Sequence, residues 1–287
     1  MPIDPNIALG AALASREFAW TTSDVQLYHL GLGAGTRWQD PAELRYLADN
    51  DPQVLPTFAA VAATVHETEA PKVSFPGIEI DLAKVVHGHQ EVRVHRPIPA
   101  DGKATSTGKV VEIWDKGSAA VVVQENTVTG SDGAALWTTR SSIFARGEGG
   151  FGGERGPSNK SVLPDRAPDF DVHTATLPQQ ALLYRMSGDR NPLHSDPEFA
   201  SGAGFPAPIL HGLCTYGIVC KAATDTVLDS DASRVTAFGA RFAGVLYPGE
   251  TIRTRIWRED NTLVIAASAV ERDDAPVLDN VTLEFTS

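Results

Sequence analysis

The chain has 287 residues, of which 42% are hydrophobic and 21% charged, a composition typical of a globular protein with one large domain or two ordinary ones. Its net charge of -12 argues against nucleic acid or an anionic membrane as the main partner. The first residues carry no basic signal-peptide segment, no run approaches the ~20 apolar residues of a membrane span, and the chain does not end in Ser-Lys-Leu. We therefore expect a cytoplasmic protein, in which Cys214 and Cys220 are reduced, buried and small.

The first half begins with residues 1–20, where we find no clear element. Short helices are predicted over 21–33 and 40–50, the second with Pro41 at a position that suits a helix start. The alanine-rich run 58–66 favours a buried helix over a strand. From Val85 the pattern becomes β-rich, and four runs up to Arg146, separated by turn residues, predict an antiparallel sheet.

The second half follows a segment, 148–173, that is rich in Gly and Pro and predicts an inter-domain linker. Residues 178–188 have a helical pattern that ends near Gly188. The sequence from Ser195 to Glu198 has the form of a capping box with Ser195 at the N-cap, so a short helix is expected to follow. Residues 213–228 predict the longest helix of this half, and four β-rich runs complete the chain.

The repeated order of helices and four strands indicates an internal duplication. Tyr28 and Tyr184 are 156 residues apart, and so are the pairs Asp40-Pro41 and Asp196-Pro197. A proline-acid turn also recurs between the first two strands of each half, at residues 99–101 and 248–250. Together these matches favour a duplicated fold over chance.

The two copies differ in one triplet of polar residues. Asp189, Asn191 and His194 lie within six residues, and at the 156-residue offset they fall on Gly33, Gly35 and Trp38. A structural role would be expected to persist in both copies, whereas a catalytic role needs only one. This asymmetry indicates that the triplet does chemistry and that the first copy shapes an apolar binding cavity.

The residue types suit acid–base chemistry on water. A carboxylate and an imidazole brought together by Pro192 can hold one water between them, and Asn191 can orient either partner. His211-Gly212 directly precedes the long helix, where a free backbone N–H at the positive end of the helix dipole forms an oxyanion hole. Such a pair of sites suits addition of water to a double bond conjugated to a carbonyl.

Other interpretations of these residues exist. Asp189 and His194 could be a turn residue and a structural histidine, or they could form a metal site with Asp196 and His211, although no His-x-x-x-His spacing supports one. A serine hydrolase is disfavoured because the chain has no Gly-x-Ser-x-Gly motif, and a dinucleotide site lacks its glycine fingerprint. We therefore predict no metal.

The motif YRMSGDRNPLH, Tyr184 to His194, followed by His-Gly before a long helix, resembles the hydratase 2 motif of the MaoC-like family. The resemblance covers essentially the whole chain. It implies an α+β double hot-dog fold, in which each repeat is a long helix wrapped by an antiparallel sheet. It implies a degenerate N-terminal repeat, 1–147, that holds the acyl tail, and a catalytic repeat, 174–287, joined by the linker 148–173.

The resemblance also implies the reaction, an (R)-specific, reversible syn addition of water to a trans-2-enoyl-CoA, with no cofactor beyond the CoA of the substrate. It assigns catalysis to Asp189 and His194 with help from Asn191, and binding of the thioester oxygen to Gly212. We add His211, Tyr184 and Arg241 as substrate-binding candidates. Arg185, Arg190 and Lys221 are further cations near the motif, and the expected assembly is a homodimer.

Three alternatives remain open from the sequence. A 3-hydroxyacyl-thioester dehydratase acting on acyl carrier protein runs the same chemistry in reverse. A hot-dog thioesterase is a second alternative, against which the retention of Asn191 and His194 argues. A non-catalytic acyl-binding module is a third. Because Trp38 replaces His194 in the first repeat, we expect Trp38→Ala to change chain-length preference.

Overall fold

The computed structural model of the chain describes residues 3–71, 74–80, 84–157 and 162–287. The strands of the first half are β1 (Arg16–Trp20), β2 (Ser74–Phe75), β3 (Ile78–Glu79), β4 (Val85–Val94), β5 (Gly102–Asp115), β6 (Ala119–Gly130) and β7 (Ala135–Arg146). Those of the second half are β8 (Phe170–Ala175), β9 (Val235–Phe242), β10 (Thr251–Glu259), β11 (Thr262–Ala269) and β12 (Ala275–Phe285).

The helices are short apart from one. The α-helices are α1 (Pro5–Ala8), α2 (Thr22–Gly31), α3 (Pro41–Leu44), α4 (Gln180–Tyr184), α5 (Pro197–Gly202) and α6 (Gly212–Val227). Short 3-10 helices extend α3 over Arg45–Leu47 and α4 over Arg185–Ser187. Within the part of the chain described above, no helix has both the length and the apolar character needed to cross a bilayer.

Ten of the strands in the described residues form one antiparallel sheet whose order confirms the duplication. The order is β1-β5-β6-β7-β4-β9-β12-β11-β10-β8. The second half of this order mirrors the first, with β8, β9, β10, β11 and β12 in the places of β1, β4, β5, β6 and β7. The two halves are therefore related by a two-fold arrangement. The central pair joins β4 to β9, with His89 opposite Arg241 and Arg93 opposite Ala237. The two halves thus share one continuous sheet, as in a double hot-dog fold.

The core lies on one face of this sheet, against α6. Residues from Cys214 to Thr224 of α6 are buried without interruption, as expected of a helix that is apolar on nearly all sides. The helix packs against β8, β9, β10 and β12. The sheet therefore encloses the helix and fixes the position of its N-terminal residue, Gly212.

Among the described residues of the first half, no helix is equivalent to α6. The run 58–66, for which an α-helix was expected, forms a 3-10 helix over Pro56–Ala60, and turns continue to residue 66. This segment packs against β4, β9 and α6. Phe58 is buried there beside the rings of Trp20 and Tyr28. The expectation of a long helix in both repeats is wrong for the first, because aromatic side chains fill its place.

Three local expectations are also corrected. Residues 1–20 contain α1 and β1, and β1 pairs with β5 at the edge of the sheet. The last residues of the predicted linker belong to β8, which pairs with β10. The N-cap of α5 is Asp196 rather than Ser195, since its carboxylate accepts hydrogen bonds from the N–H groups of Glu198 and Phe199. Asp40 caps α3 in the equivalent way.

Candidate active site

The triplet lies in a loop whose path begins at a glycine. Gly188 ends the 3-10 helix after α4 with φ of +99°, a left-handed conformation that L side chains rarely adopt. A Cβ at this position would lie 1.7 Å from the carbonyl oxygen of Thr64. The loop is therefore packed directly against the first repeat, and Asp189 leaves the helix at that contact.

Asn191 organises the next turn. Its side-chain oxygen accepts a hydrogen bond from the N–H of Leu193 at 3.0 Å and so caps the 3-10 helix Pro192–His194. The carboxylate of Asp189 accepts a 3.2 Å hydrogen bond from the N–H of Asn191. The spacing of the triplet thus folds into a single turn in which Asn191 contributes local geometry.

Asp189, His194 and His211 are brought together. One ligand atom from each lies within 4.8 Å of the others. The imidazole rings of His194 and His211 stack with centroids 3.8 Å apart, and both rings are buried, whereas Asp189 is half-buried. A carboxylate and two imidazoles therefore converge at one point of the structure.

The hydrogen bonds of the two histidines define which nitrogens are free. His194 Nδ1 donates to the carbonyl oxygen of Ile209 at 2.9 Å, which leaves Nε2 with its lone pair available as a base. His211 Nε2 lies 3.3 Å from the backbone oxygen of Asp189, and its buried Nδ1 has no partner among the described residues. Two acceptor nitrogens are therefore open at the site.

Burial keeps both histidines neutral. Burial lowers the pKa of His194 below 6.5, partly offset by the charge of Asp189 and the hydrogen bond to Ile209. Burial lowers the pKa of His211 well below 6.5, and the neighbouring His194 adds to this effect. A neutral imidazole is the form that takes a proton from water, so the site suits base chemistry near neutral pH.

Gly212 is the first residue of α6 and follows the N-cap His211. Its N–H has no acceptor within the helix, and it lies where the helix dipole is positive. A Cβ added at Gly212 would lie 3.0 Å from two ring carbons of Phe242. The absence of a side chain therefore keeps open the approach of an oxygen to this N–H.

The remaining predicted residues divide into two groups. Tyr184 is fully buried, its ring lies 5.0 Å from that of His211, and its hydroxyl has no partner in the described structure. It therefore belongs to the wall of the site. Arg241 lies on β9 and forms a two-pronged ion pair with Asp279. Among the described residues, Arg241 forms no hydrogen bond or ion pair with Asp189, His194 or His211.

The other cations near the motif are largely engaged. Lys221 is buried, not solvated, and pairs with Glu43 at 2.9 Å and Asp225 at 2.7 Å. Arg190 Nε donates to the backbone oxygen of Glu67 at 3.3 Å. Arg185 remains near His211, and its Nε is buried without a partner among the residues described. Lys221 is therefore not available for phosphate binding.

The cluster of Asp189, His194 and His211 offers three ligand atoms of types that bind zinc or similar ions. Asp196, which was weighed as a fourth ligand, instead caps α5. The hydrogen bond from His194 Nδ1 to Ile209 fits a metal-bound imidazole and a general base equally well.

Two contributors to the site were missed in the sequence. Phe242 packs on Gly212, and His87, whose ring lies 4.7 Å from that of Phe242, has a buried Nε2 with no partner in the described part of the chain. Burial lowers the pKa of His87 to about 4. Both residues lie at the junction of β4 and β9, which no local pattern could reveal.

Fold and site together define a double hot-dog protein with a carboxylate–imidazole pair beside a helix N-terminus. Residues 18–147 match the MFE-2 hydratase 2 N-terminal domain, and residues 159–277 match the MaoC like domain. The chain belongs to the MaoC-like hydratase 2 family.

Two relatives from Mycobacterium tuberculosis align over nearly their whole length. The enoyl-CoA hydratase ChsH3 is 59% identical over 283 residues, which cover 99% of each chain. The 3-hydroxyacyl-thioester dehydratase Y is 39% identical and covers 100% of both chains. Among solved structures, a MaoC-like dehydratase from Phytophthora capsici superposes with a TM-score of 0.85 at 28% identity, covering 99% of this chain and 98% of that one. Other relatives bear names of peroxisomal enzymes.

Proposed function

We propose that this protein is an (R)-specific 2-enoyl-CoA hydratase, a hydro-lyase that adds water reversibly to a trans-2-enoyl-CoA. The observation that carries the proposal is the juxtaposition of Asp189 with the open Nε2 of His194, next to the helix that begins at Gly212. Membership of the hydratase 2 family and 59% identity to an enoyl-CoA hydratase support it.

In the proposed mechanism, His194 Nε2 takes a proton from a water held between it and Asp189. The resulting hydroxide adds to C3 of the enoyl group, and the electron pair of the double bond moves toward the thioester carbonyl. The Gly212 N–H donates a hydrogen bond to the oxygen on which negative charge develops. The proton then passes to C2 on the same face, so that one water has been added in the syn sense.

Asn191 is proposed to act through the turn that it caps, which sets the relative positions of Asp189 and His194. Tyr184 and His211 are proposed to border the substrate, because they form the buried wall of the site. Arg241 is also proposed to border the substrate, with its charge already neutralised by Asp279. No metal or other cofactor is needed in this scheme.

The same groups catalyse the reverse reaction, and one relative carries a dehydratase name. Dehydration of a 3-hydroxyacyl thioester is therefore the second proposed activity. We further propose a cytoplasmic homodimer with a first domain of residues 1–147 and a catalytic domain of 174–287. Strand β8, at the end of the predicted linker of 148–173, also belongs to the catalytic domain. The domain limits are supported by the family match that ends at 147 and by the mirrored strand order.

The test is a hydration assay with trans-2-enoyl-CoA substrates of several lengths, with chiral analysis of the product. We expect loss of the enoyl absorbance without release of thiol, and (R)-3-hydroxyacyl-CoA as the product. Release of free CoA without hydration would support the thioesterase alternative and contradict the proposal. Formation of the (S)-product would contradict the assigned face of addition.

A further inference from the structure

A groove of about 760 Å³ lies on the face of β4–β7 that points away from the core. Side chains alternate between the two faces along β6, so that Val122 packs in a core cluster while Val121 and Val123 line the groove. Phe144 of β7 and Trp114 of β5 complete an apolar floor. This volume is in the range of sites that hold small molecules.

One end of the groove is separated from the active site by Phe242. Phe242 lines the groove, and its ring lies against Gly212, the proposed donor to the thioester oxygen. His87 also lines this end, with its unpartnered Nε2 beside Phe242. A ligand whose reacting group lies at Gly212 can therefore extend past Phe242 into the groove.

The opposite end carries cations without carboxylate partners. Lys116 and Arg146 line the groove there, and neither forms an ion pair among the described residues. Lys116 Nζ lies 5.1 Å from the centre of the Trp114 ring and donates to the backbone oxygen of Pro157. The nearby Arg155 lowers the pKa of Lys116, after the effect of burial. One carboxylate, that of Glu154, lines the same end.

The other charges of the groove are already paired. Arg140 forms a 2.5 Å ion pair with Glu112, and Arg241 pairs with Asp279. The charged groups of the groove that lack ion-pair partners therefore carry a net positive charge, and they lie at the end near Trp114. The chain as a whole has a net charge of -12. This local excess favours an anionic ligand.

The rim at this end is built by Asp115. Its carboxylate accepts hydrogen bonds from the N–H groups of Gly117, Gly150 and Gly152, each at 2.8 Å. These bonds hold the start of the linker against the β5–β6 turn. They thereby fix residues 154–157 along the groove, with Gly156 packed on the Trp114 ring.

We propose that this groove binds the nucleotide arm of the CoA thioester. The adenine ring lies beside Trp114, the phosphates contact Lys116, Arg146 and Arg155, and the pantetheine arm runs along the apolar floor to Phe242. The groove crosses five adjacent strands from β5 to β9, roughly 19 Å at about 4.8 Å per strand spacing, so it suits a long arm rather than a compact ligand. Cations match phosphates, and an aromatic face matches a base.

The inference rests on the proposed function and identifies the carrier. A thioester on acyl carrier protein has the pantetheine arm and one phosphate but no adenine ring. An aromatic side chain and several cations at the far end therefore favour CoA.

The experiment compares the wild type with the double variant Lys116→Ala/Arg146→Ala on two substrates with the same acyl group. One substrate is trans-2-butenoyl-CoA, and the other is its N-acetylcysteamine thioester, which lacks the nucleotide and most of the arm. We expect KM for the CoA substrate to rise at least about tenfold with kcat within twofold, because phosphate contacts are lost from a bound ground state. Rates on the short thioester should not change.

Lys103→Ala is the matched control, because Lys103 is an exposed lysine on the same strand as Trp114 and does not line the groove. Trp114→Ala should also raise KM for the CoA substrate and leave rates on the short thioester unchanged. An unchanged KM for the CoA substrate in the double variant, or equal losses on both substrates, would overturn the proposal. Binding of free CoA by calorimetry gives a second readout that does not depend on turnover, and an unchanged affinity there would also overturn it.

Failure of the proposed function has a different signature. In that case the wild type would hydrate neither substrate, while the calorimetric comparison would still report whether the groove holds CoA.

Discussion

The loop of residues 189–194 and its counterpart in the first repeat, residues 33–38, differ in how their polar groups are paired. In the second copy, buried polar atoms remain without partners, among them His211 Nδ1, Ser187 Oγ and the Tyr184 hydroxyl. In the first copy, the equivalent loop is closed by hydrogen bonds. Gly35, which takes the place of Asn191, donates its N–H to Glu43 at 2.9 Å. Unsatisfied buried groups are costly. The first copy also has such atoms, the hydroxyls of Tyr28 and Thr57, so the contrast lies in the loop itself.

The closed loop is also tied to the central helix. Glu43 accepts from Arg37 at 2.7 Å and from Lys221 of α6 at 2.9 Å, and Lys221 reaches Asp225 at 2.7 Å. The hydroxyl of Tyr46 donates to Asp225 at 2.8 Å. The first loop thus clamps the helix whose N-terminus serves the second loop. Loss of chemistry in one copy has been accompanied by a gain of structural contacts.

The histidines of the two copies differ in the same way. Both nitrogens of His29 are engaged, Nδ1 with the backbone oxygen of Tyr46 at 2.9 Å and Nε2 with the N–H of Leu55 at 3.3 Å. His194 uses only Nδ1. One buried histidine is therefore a structural bridge, and the other keeps a nitrogen that the proposed mechanism uses as the base.

The largest effect is expected at Asp189. Asp189→Asn removes the carboxylate that is proposed to hold the water, so we expect kcat for enoyl-CoA hydration to fall by roughly 10²–10⁴-fold. The thermal midpoint should change little because Asp189 is only half-buried. Asp40→Asn, in the first copy, is the matched control and should keep its activity. Near-wild-type turnover by Asp189→Asn would contradict the contrast between the copies.

The next largest effect is expected at Gly212, where two variants distinguish the role of its N–H from the role of its missing side chain. Gly212→Pro removes the N–H at the first helical position, where proline is tolerated, and the preceding His211 has the extended conformation that proline requires. Gly212→Ala adds a Cβ against Phe242 but keeps the N–H. We expect kcat of the proline variant to be lower than that of the alanine variant by roughly 10²–10³-fold. Equal rates would show that the N–H is not used.

The ion pairs of Lys221 with Glu43 and Asp225 should affect the stability of the fold more than the reaction rate. Lys221→Met leaves the buried carboxylate of Glu43 without its closest α6 partner, so we expect the free energy of unfolding to fall by about 3 kcal/mol. Denaturant melts measure this change. Lys103→Ala provides the comparison for an exposed lysine. A loss of turnover per folded molecule with unchanged stability would assign Lys221 to the reaction instead.

The two histidines should respond differently to acid. The pKa of His194 is lowered below 6.5, so it stays neutral as pH falls through 6.5 and charges only below that range. We expect kcat/KM to hold through pH 6.5 and then fall. The pKa of His29 is lowered to about 4, so its contribution to stability is present above pH 6.5 and lost as pH falls toward 4.

His29→Gln should therefore reduce the pH dependence of stability and leave the acid limb of the rate profile unchanged. An acid limb that moves in His29→Gln would contradict the division of roles between the two histidines.

The smallest effect is expected at Trp38. The side chain is 69% exposed, which does not fit the cavity wall anticipated from its alignment with His194. Trp38→Ala should therefore change neither the rate nor the preference for chain length, measured over a series of enoyl-CoA substrates. A shift in chain-length preference would restore the earlier interpretation of Trp38.

Much of this fold is encoded locally. The long strands are β-rich runs bounded by turns such as Asp115-Lys116-Gly117, and these were predicted within a few residues. The short strands β1 and β8 were not, because each gains its stability from one neighbour in the sheet. The alanines of 58–66 favour a helix, but the aromatic core around Phe58 holds a 3-10 turn instead.

The parts of the site formed by residues close in sequence were predictable, and the contacts between residues distant in sequence were not. The spacing of Asp189, Asn191 and His194 within one turn was visible because the other copy lacks it. The ion pair of Glu43 with Lys221 joins residues 178 apart, and the contact of Phe242 with Gly212 crosses from strand to helix. Such contacts depend on the closed sheet, which no local pattern describes.

The central claim is that one copy of the duplicated fold holds the active site and the other does not. Equilibrium dialysis of the wild type with labelled trans-2-enoyl-CoA, which reaches its own hydration equilibrium, counts the sites directly. We predict one labelled acyl-CoA, as substrate or product, bound per chain at saturation. Two bound per chain would contradict the account, because the first copy would then also have kept a site.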